Sequence, residues 1–431
     1  MSAMPATASR GVLRRLSWGL GDQAVTSLLS FAVGVYVARS LGVVEFGAFS
    51  LAWVTYGVAL NISRGLSTDP LAVRYTAVRR STWRAAVARS SGTAIAVGLL
   101  TGTCCVAAGL LLGGSLGAAF GALGFVLPGL LLQDSWRFAF FASGQGGKAL
   151  VSDITWAVTL VPLLMLASRN PSVTGFVLAW GGAAAVAALA SGLQAWIMPR
   201  LSKARSWLSE NSDLGARYLV ENVSISGAAQ LRAYGLGAIA GLAAVGAVRG
   251  AEMLMGPFLM VLSGIGLVAV PEAVRVVRRS VRALPRFCLL LGGVQAVGAM
   301  AWGLMLMLVI PDTIGRHALG EVWDAASALI LPATLAVMSA SLSTGATAGL
   351  RALGLARRSV RAQLFGSGAY VTLGVAGAAI GGAVGSAWGV AVATFLAAGV
   401  WWWNLRKALP PAPPRHRADR IHTRSPQPAR R

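Results

Sequence analysis

Charged residues are scarce in this chain. Asp, Glu, Lys and Arg together make up 12% of the 431 residues, whereas apolar residues make up 56%. Soluble domains carry about 25% charged residues, so this composition excludes an ordinary soluble protein. It indicates a polytopic membrane protein.

Cysteine and histidine are also rare, with three of each. The cysteines lie in apolar runs and the histidines are scattered, which argues against a disulfide framework or a metal cluster. The chain also lacks the G-x-x-x-x-G-K-[ST] loop of ATP-driven motors, and no Ser, His and Asp set suggests catalysis. We therefore expect no metal, no cofactor and no enzymatic activity.

Basic residues exceed acidic ones, 37 against 14, which gives a formal net charge of +23. In a soluble protein this excess would suggest a nucleic-acid partner, but here most basic residues occupy every second link between apolar runs. The opposite links hold only Arg39, Arg169, Arg249 and Arg316. Lys and Arg favour the cytoplasmic side, so we predict a plasma-membrane protein with both termini in the cytoplasm. The partners of its basic links are membrane lipids, not nucleic acid.

Apolar runs recur twelve times, and most are long enough to cross a hydrocarbon core of about 30 Å as a helix. They are 18–38, 47–62, 92–112, 116–142, 149–167, 173–197, 218–241, 252–270, 287–310, 322–349, 360–380 and 383–405. The sequence therefore predicts an all-α polytopic membrane protein with about 12 transmembrane helices in two pseudo-symmetric six-helix bundles. Its predicted parts are a cytoplasmic N-terminus (1–16), an N-terminal bundle (17–198), a basic linker (199–217), a C-terminal bundle (218–405) and a disordered basic tail (406–431).

The two halves are related by a weak internal repeat. With an offset of 199 residues, Asp22-Gln23 falls on Glu221-Asn222, and Gly47 falls on Gly246. After a slip of two residues, Pro70 falls on Pro271. Because an even number of spans precedes the second half, the repeats are parallel and related by an axis along the membrane normal.

Arg232 is the most conspicuous polar residue inside a predicted span. It lies about 20 Å from the cytoplasmic end of span 218–241, where a cation costs several kcal/mol unless an anion or water meets it. Two interpretations remain open. Its planar guanidinium can bind a phosphate or pyrophosphate, or it can pair with Glu221 or with an acid on another span. Its counterpart in the first half is Val33, so symmetric function is not implied.

Further polar residues lie near the predicted cytoplasmic ends of spans. Asp22-Gln23 and Glu221-Asn222 can frame the mouth of a pathway or bind a coupling cation. They can equally be acids favoured by the N-terminal dipole of a helix. A gate or an ion-pair group is predicted from the i,i+3 spacing of Asp134 and Arg137, with Asp153 and the interfacial Arg64 nearby.

The first hairpin and two later stretches resemble bacterial polysaccharide transporters. The matching residues are Asp22-Gln23, Ser27, Phe31, Val37-Ala38-Arg39-Ser40-Leu41-Gly42, Glu45-Phe46-Gly47, Phe49, Arg64-Gly65-Leu66, Asp69-Pro70-Leu71, Leu132-Gln133-Asp134 and Trp136-Arg137-Phe138. These transporters form the O-antigen flippase-like branch of the multidrug/oligosaccharidyl-lipid/polysaccharide (MOP) exporter superfamily. The resemblance implies a MATE-like fold and a flippase that moves a polyprenyl-diphosphate-linked oligosaccharide outward by alternating access during polysaccharide biosynthesis.

In that interpretation Arg232 neutralises the diphosphate. Transport would be driven by the membrane potential or by exchange of H⁺ or Na⁺, with Asp22 or Glu221 as the ligand. Two alternatives stay open. One is a cation-coupled exporter of drugs or metabolites, and the other is a transport-inactive scaffold that binds polysaccharide-assembly enzymes through its basic links and tail.

Overall fold

The computed structural model describes residues 28–75 and 78–409. The predictions for the N-terminus, for Asp22 and Gln23 and for the tail beyond residue 409 lie outside the described residues. The same holds for the side chain of Glu221. All regular structure among the described residues is helical.

The first half forms seven α-helices and one π-helical turn, Arg64–Thr68, which joins α2 to α3 without a break. The α-helices are α1 (Leu28–Ser40), α2 (Val43–Ser63), α3 (Asp69–Arg74), α4 (Arg80–Leu112), α5 (Gly114–Ala142), α6 (Gly146–Ala167) and α7 (Val173–Ala195). Gly113 and Gly114 connect α4 to α5 with φ values of 64° and 56°. This left-handed turn favours glycine, which explains how so short a link reverses the chain.

The second half begins with a short linker that contains the 3₁₀ turn Leu201–Lys203. A second 3₁₀ turn, Val281–Ala283, precedes α10. The α-helices are α8 (Ala204–Glu210), α9 (Ser212–Arg279), α10 (Leu284–Leu308), α11 (Asp312–Leu319), α12 (Val322–Ser327), α13 (Ile330–Ala352) and α14 (Ala356–Ala408). The helix α9 bends back at Gly241 (φ 81°), and α14 does so at Gly381 and Gly382. Each of these helices is therefore two successive spans.

Nine helical segments within 28–75 and 78–409 are long and apolar enough to cross a membrane. Because α9 and α14 each turn back on themselves, and because α1 adds a further apolar segment, the chain has about twelve transmembrane helices. The predicted fold class, an all-α polytopic membrane protein, is confirmed.

The boundary between the seventh and eighth spans differs from the prediction. The stretch 242–251 was expected to be a link, but it is helical and belongs to the second part of α9. A single glycine turn at Gly241 suffices to reverse the chain, so no loop is needed. As a result Arg249 lies inside a helix and not in a loop.

The helices end on two faces. We call the face that carries Arg74, Arg80, Lys148, Arg279 and Arg357 the basic end, and the other the opposite end. Small residues bring neighbouring helices close together, as is common in membrane proteins. A Cβ atom on Gly102 of α4 would lie 2.5 Å from the carbonyl oxygen of Gly124 of α5.

The two halves cross where α2 meets the second part of α9. A Cβ atom on Gly47 would lie 1.9 Å from the carbonyl oxygen of Leu242, and one on Gly246 would lie 2.2 Å from that of Val43. The offset of 199 residues places Val43 on Leu242 and Gly47 on Gly246, so the two contacts are equivalent in the repeat. This crossing therefore lies on the pseudo-two-fold axis that the sequence repeat implies.

Candidate functional site

A cavity of about 620 Å³ lies between the two halves. It is lined by α1, α2, both parts of α9, α13 and α14. Much of the lining is apolar and includes Phe31, Phe46, Met253 and Met255. A few polar groups break this surface, so its chemistry depends on where they lie.

One wall of the cavity carries charge. A guanidinium nitrogen of Arg232 lies 2.5 Å from Oε1 of Glu252, and one of Arg249 lies 3.3 Å from Oε2 of the same carboxylate. The Arg232 side chain is only 6% exposed, whereas the Arg249 and Glu252 side chains are each 39% exposed. Two cations share one carboxylate, so this wall has an excess of positive charge.

Arg232 also lies over an aromatic ring. Its guanidinium carbon is 5.1 Å from the centre of the Tyr370 ring on α14. A buried arginine needs such partners, because water no longer solvates it. Its Nε–H has no hydrogen-bond partner among the described residues. Arg232 therefore has one unpaired donor, which is buried within the wall and does not reach the cavity surface.

A second part of the cavity wall is aromatic. Trp53 stacks on Trp180 with ring centres 4.6 Å apart, and Tyr56 meets Trp180 edge-on at 4.9 Å. Phe49 and Trp53 line the cavity from α2. Close aromatic packing of this kind fixes the ring planes and makes the wall rigid.

A second cavity, of about 440 Å³, adjoins the first. The two share Ala340, Tyr370 and Thr394. The second cavity follows α13 and α14 towards the basic end, and besides Tyr370 and Thr394 its polar lining includes Ser343, Thr344, Thr347, Arg351, Gln363 and Ser367. A path with hydroxyl and amide groups therefore runs from Tyr370 towards the basic end.

The predicted site residues lie in different parts of the structure. Arg232 lies on the cavity wall, and its partner is an acid on another span, Glu252, which agrees with one of its two interpretations. The Asn222 side chain donates to Oδ2 of Asp69 at 2.8 Å, at the basic end. Asn222 is not among the described residues that line the two cavities.

The remaining four predicted residues form two ion pairs. Arg64 donates from two nitrogens to both oxygens of Asp134, at 2.7 and 3.0 Å. Nε of Arg137 lies 2.9 Å from Asp153, which also accepts a hydrogen bond from Gln133 at 3.2 Å. These pairs connect the π-helical turn after α2 to α5, and α5 to α6. Whether they act as a gate stays a prediction.

Sequence reasoning missed Arg249, Glu252 and Tyr370. The first two are spaced i,i+3 within an apolar stretch, a spacing that predicts a pair on one helix face. This spacing does not point to a site when residues 242–251 are interpreted as a link between two spans. Nothing in the sequence brings Tyr370 near Arg232, since they are far apart along the chain.

At the basic end the linker docks on the first half. Arg74 lies 2.6 Å from Oδ2 of Asp213 and donates to the carbonyl of Glu210 at 2.7 Å. Desolvation is the largest single influence on the pKa of Asp213 and raises it, but a hydrogen bond from the backbone of Leu214, the Arg74 charge and a hydrogen bond from Arg74 together outweigh it and lower the pKa. Trp207 is fully buried and donates to the carbonyl of Leu66, in the π-helical turn, at 3.1 Å.

Residues 12–277 match the family model described as "Polysaccharide biosynthesis protein". This chain belongs to that family. The match covers the six predicted spans of the first half and α9 up to residue 277, which includes Arg232, Arg249 and Glu252. A comparison with curated protein sequences finds no significant match.

Solved structures share the fold. An inward-facing multidrug resistance MATE family transporter of the MOP superfamily aligns with a TM-score of 0.65 and 15% identity, over 89% of this chain and 94% of that chain. An outward-facing one aligns with a TM-score of 0.52 and 15% identity, over 92% and 95%. The lipid II flippase MurJ, in an inward closed conformation, aligns with a TM-score of 0.60 and 10% identity, over 91% and 87%. The chain therefore belongs to the polysaccharide biosynthesis protein family and has the fold of MATE transporters and MurJ, which agrees with the resemblance stated from the sequence.

Proposed function

We propose that this protein is a flippase that moves a polyprenyl-diphosphate-linked oligosaccharide across the plasma membrane for polysaccharide biosynthesis. The observation that carries the proposal is the excess of positive charge on one wall of the cavity between the halves. In a membrane interior such a charge is costly unless an anion meets it. A diphosphate supplies that anion.

Arg249 and Arg232 have different roles in binding. Arg249 is the more exposed of the two, so its planar fork of donors meets the diphosphate first. Arg232, held by Glu252 and Tyr370, lies deeper in the wall and adds positive potential there. Trp53 and Phe49 of α2 add aromatic surface to the lining, which suits the C–H faces of sugar rings. The lipid tail stays in the bilayer.

Movement follows an alternating-access cycle in which the cavity opens first to the basic end and then to the opposite end. Relatives of this fold occur in inward-facing and outward-facing conformations, which supports such a cycle. With the basic end in the cytoplasm, both termini are cytoplasmic. An inside-negative potential then favours outward movement of negative charge by about 2.3 kcal/mol per charge per 100 mV. Exchange of H⁺ or Na⁺, with Asp22 or Glu221 as ligand, can add to this driving force.

The test follows lipid-linked glycan in a deletion strain. We expect the glycan to accumulate on the inner leaflet and to be cleared by the intact gene but not by Arg232→Ala or Arg249→Ala. Arg282→Ala is the matched control, since Arg282 is exposed at the basic end and lines neither cavity. An immunoblot and a gel-filtration profile establish that each variant is folded. Full clearance by both cavity variants would refute the proposed role of the arginines.

A cation-coupled exporter of drugs or metabolites is the second candidate, and the largely apolar cavity favours it. That function predicts resistance to apolar or cationic compounds that survives Arg249→Ala, with no effect on lipid-linked glycan. A transport-inactive scaffold for polysaccharide-assembly enzymes predicts a third pattern. There, deletion of residues 410–431 would impair polysaccharide assembly and both cavity variants would leave it unchanged.

A further inference from the structure

A third cavity, of about 270 Å³, lies in the first half at the basic end. It shares no residue with the cavity between the halves. Its walls come from Tyr75, which follows α3, from α4, α5 and α6, and from the end of α7. We call it the interfacial pocket, because helix ends at this face lie at the depth of the lipid headgroups.

The interfacial pocket is positively charged. Arg80, Arg84 and Lys148 line it, and no carboxylate is among its lining residues. Arg80 is exposed. Because three cations face a small space without an acid, the pocket attracts an anion.

Two of the cations are already oriented by the end of α7. Arg84 donates to the carbonyls of Ala195, at 3.2 Å, and Trp196. Lys148 lies 3.5 Å from the carbonyl of Gln194. A simple explanation for both is that they satisfy the C-terminal carbonyls of a helix. An arginine has five N–H donors and a lysine has three, however, so these contacts leave donors free for a ligand.

Neutral groups complete the pocket. Ser143 and Gln145 line it, as does Trp136, whose indole N–H is buried and has no hydrogen-bond partner among the described residues. Tyr75 and Trp83 form aromatic walls of the kind found at membrane interfaces. The Ser143 hydroxyl already donates to the carbonyl of Phe140 at 3.0 Å. The remaining arginine, lysine, amide and indole donors together match an oxyanion with several acceptor oxygens.

We propose that the interfacial pocket binds a phosphate group, which in the membrane is the headgroup phosphate of an anionic phospholipid. Basic pockets between transmembrane helices on the cytoplasmic side bind such headgroups, because the positive charge and the interfacial depth coincide. The site is separate from the proposed transport cavity and does not depend on it. Its occupant holds the starts of α4 and α6 against the end of α7.

The experiment is native mass spectrometry of the purified full chain with added phosphatidylglycerol or phosphatidylcholine. The intact protein is expected to retain phosphatidylglycerol and to bind phosphatidylcholine weakly. The variant Arg80→Gln/Lys148→Gln keeps hydrogen-bond donors but removes two charges, and we expect it to lose about tenfold or more in phosphatidylglycerol affinity. The control Arg205→Gln/Arg282→Gln removes two charges from exposed positions outside the pocket and should lose less than about twofold.

Competition with inorganic phosphate distinguishes a lipid headgroup from free phosphate as the ligand. If millimolar phosphate displaces phosphatidylglycerol from the intact protein, and binds the lipid-free protein, the site takes free phosphate as well. If the lipid stays bound in phosphate and is lost only in the pocket variant, the lipid headgroup is the ligand. Equal losses in the pocket variant and in the control would overturn the proposal, and so would no loss in either.

A milder variant serves as the control for misfolding. Arg80→Gln alone changes one exposed side chain, so it should keep the melting temperature of the intact protein while still weakening phosphatidylglycerol. Trp136→Phe removes the indole N–H and keeps an aromatic ring, and a loss of a few-fold is expected. An unchanged affinity in both single variants would also contradict the proposal.

Discussion

The two halves of this protein contact each other symmetrically at their crossing and differ where they line the cavity. At the crossing, Gly47 and Gly246 make equivalent contacts with the opposite backbone. In the cavity, the offset of 199 residues places Ser50 and Trp53 of the first half on Arg249 and Glu252 of the second. All four line the same cavity. The repeat thus preserves backbone packing, whereas the chemistry is concentrated in one half.

The basic end shows a second difference. Arg74 and Arg275 are equivalent in the repeat, but Arg74 pairs with Asp213 of the linker, while Arg275 pairs with Glu272 one turn away on its own helix. One arginine therefore connects the halves and the other does not. Equivalent positions in a duplicated fold can therefore make different contacts.

The largest expected effect comes from Glu252→Ala. This change leaves Arg232, which is 6% exposed, without its carboxylate, and we expect a loss of about 3 kcal/mol in the free energy of unfolding. Glu272→Ala is the matched control. Glu272 is also 39% exposed, but its partner Arg275 is 68% exposed, so the loss should stay below about 0.5 kcal/mol. Thermal unfolding in detergent measures both losses. Equal losses would show that burial of the arginine partner does not set the cost.

Next in size are Gly47→Ala and Gly246→Ala. Each added methyl group meets a carbonyl oxygen across the crossing, and overpacking of this kind costs about 1–3 kcal/mol. Because the contacts are equivalent, the two variants should lower the melting temperature by similar amounts. Gly121→Ala and Gly293→Ala serve as controls, one in each half, since a Cβ atom there meets nothing within 4 Å. A large difference between the first two variants would show that the crossing is not symmetric.

Trp53→Leu tests the aromatic wall. The change keeps an apolar side chain but removes the stacked contact with Trp180, which is worth about 1 kcal/mol. The control is Trp388→Leu, because Trp388 is 42% exposed and has no ring contact among the described residues. Chemical unfolding curves distinguish the two. If both variants lose the same stability, the stacked contact with Trp180 adds nothing beyond the burial of an apolar side chain.

The smallest effect concerns the pH dependence of the Asp213 contact. The pKa of Asp213 is lowered in the folded protein, so the contact stabilises the fold above the ordinary aspartate pKa of about 3.9. This stabilisation is lost as the pH falls through the lowered pKa. Asp213→Asn should therefore be less stable than the intact protein near neutral pH and equal to it in strong acid. A difference that persisted in acid would assign the contact to hydrogen bonding and not to charge.

Much of the architecture was predictable because it depends on local features. Apolar runs of sufficient length gave the twelve spans, and the breaks at Gly241 and at Gly381-Gly382 match predicted span ends. The Gly47 and Gly246 equivalence came from the repeat alone. The partner of Arg232 was not predictable with certainty, since several acids were within reach of a deep cation. The position of Tyr370 against Arg232 requires the packing of α14 on α9, which no local pattern specifies.

The short helices α11 and α12 have a practical consequence for mapping the opposite end. The other described connections there are brief, and those at Gly113, Gly241 and Gly382 have a left-handed backbone conformation that an inserted peptide would have to break. Residues 312–327 instead form a small folded unit, held by Arg316 against Asp324 at 2.9 Å and by Trp323 donating to Asp312 at 3.0 Å. Antibodies, protease sites or thiol labels aimed at this side of the bilayer will therefore find their most substantial epitope in that one segment.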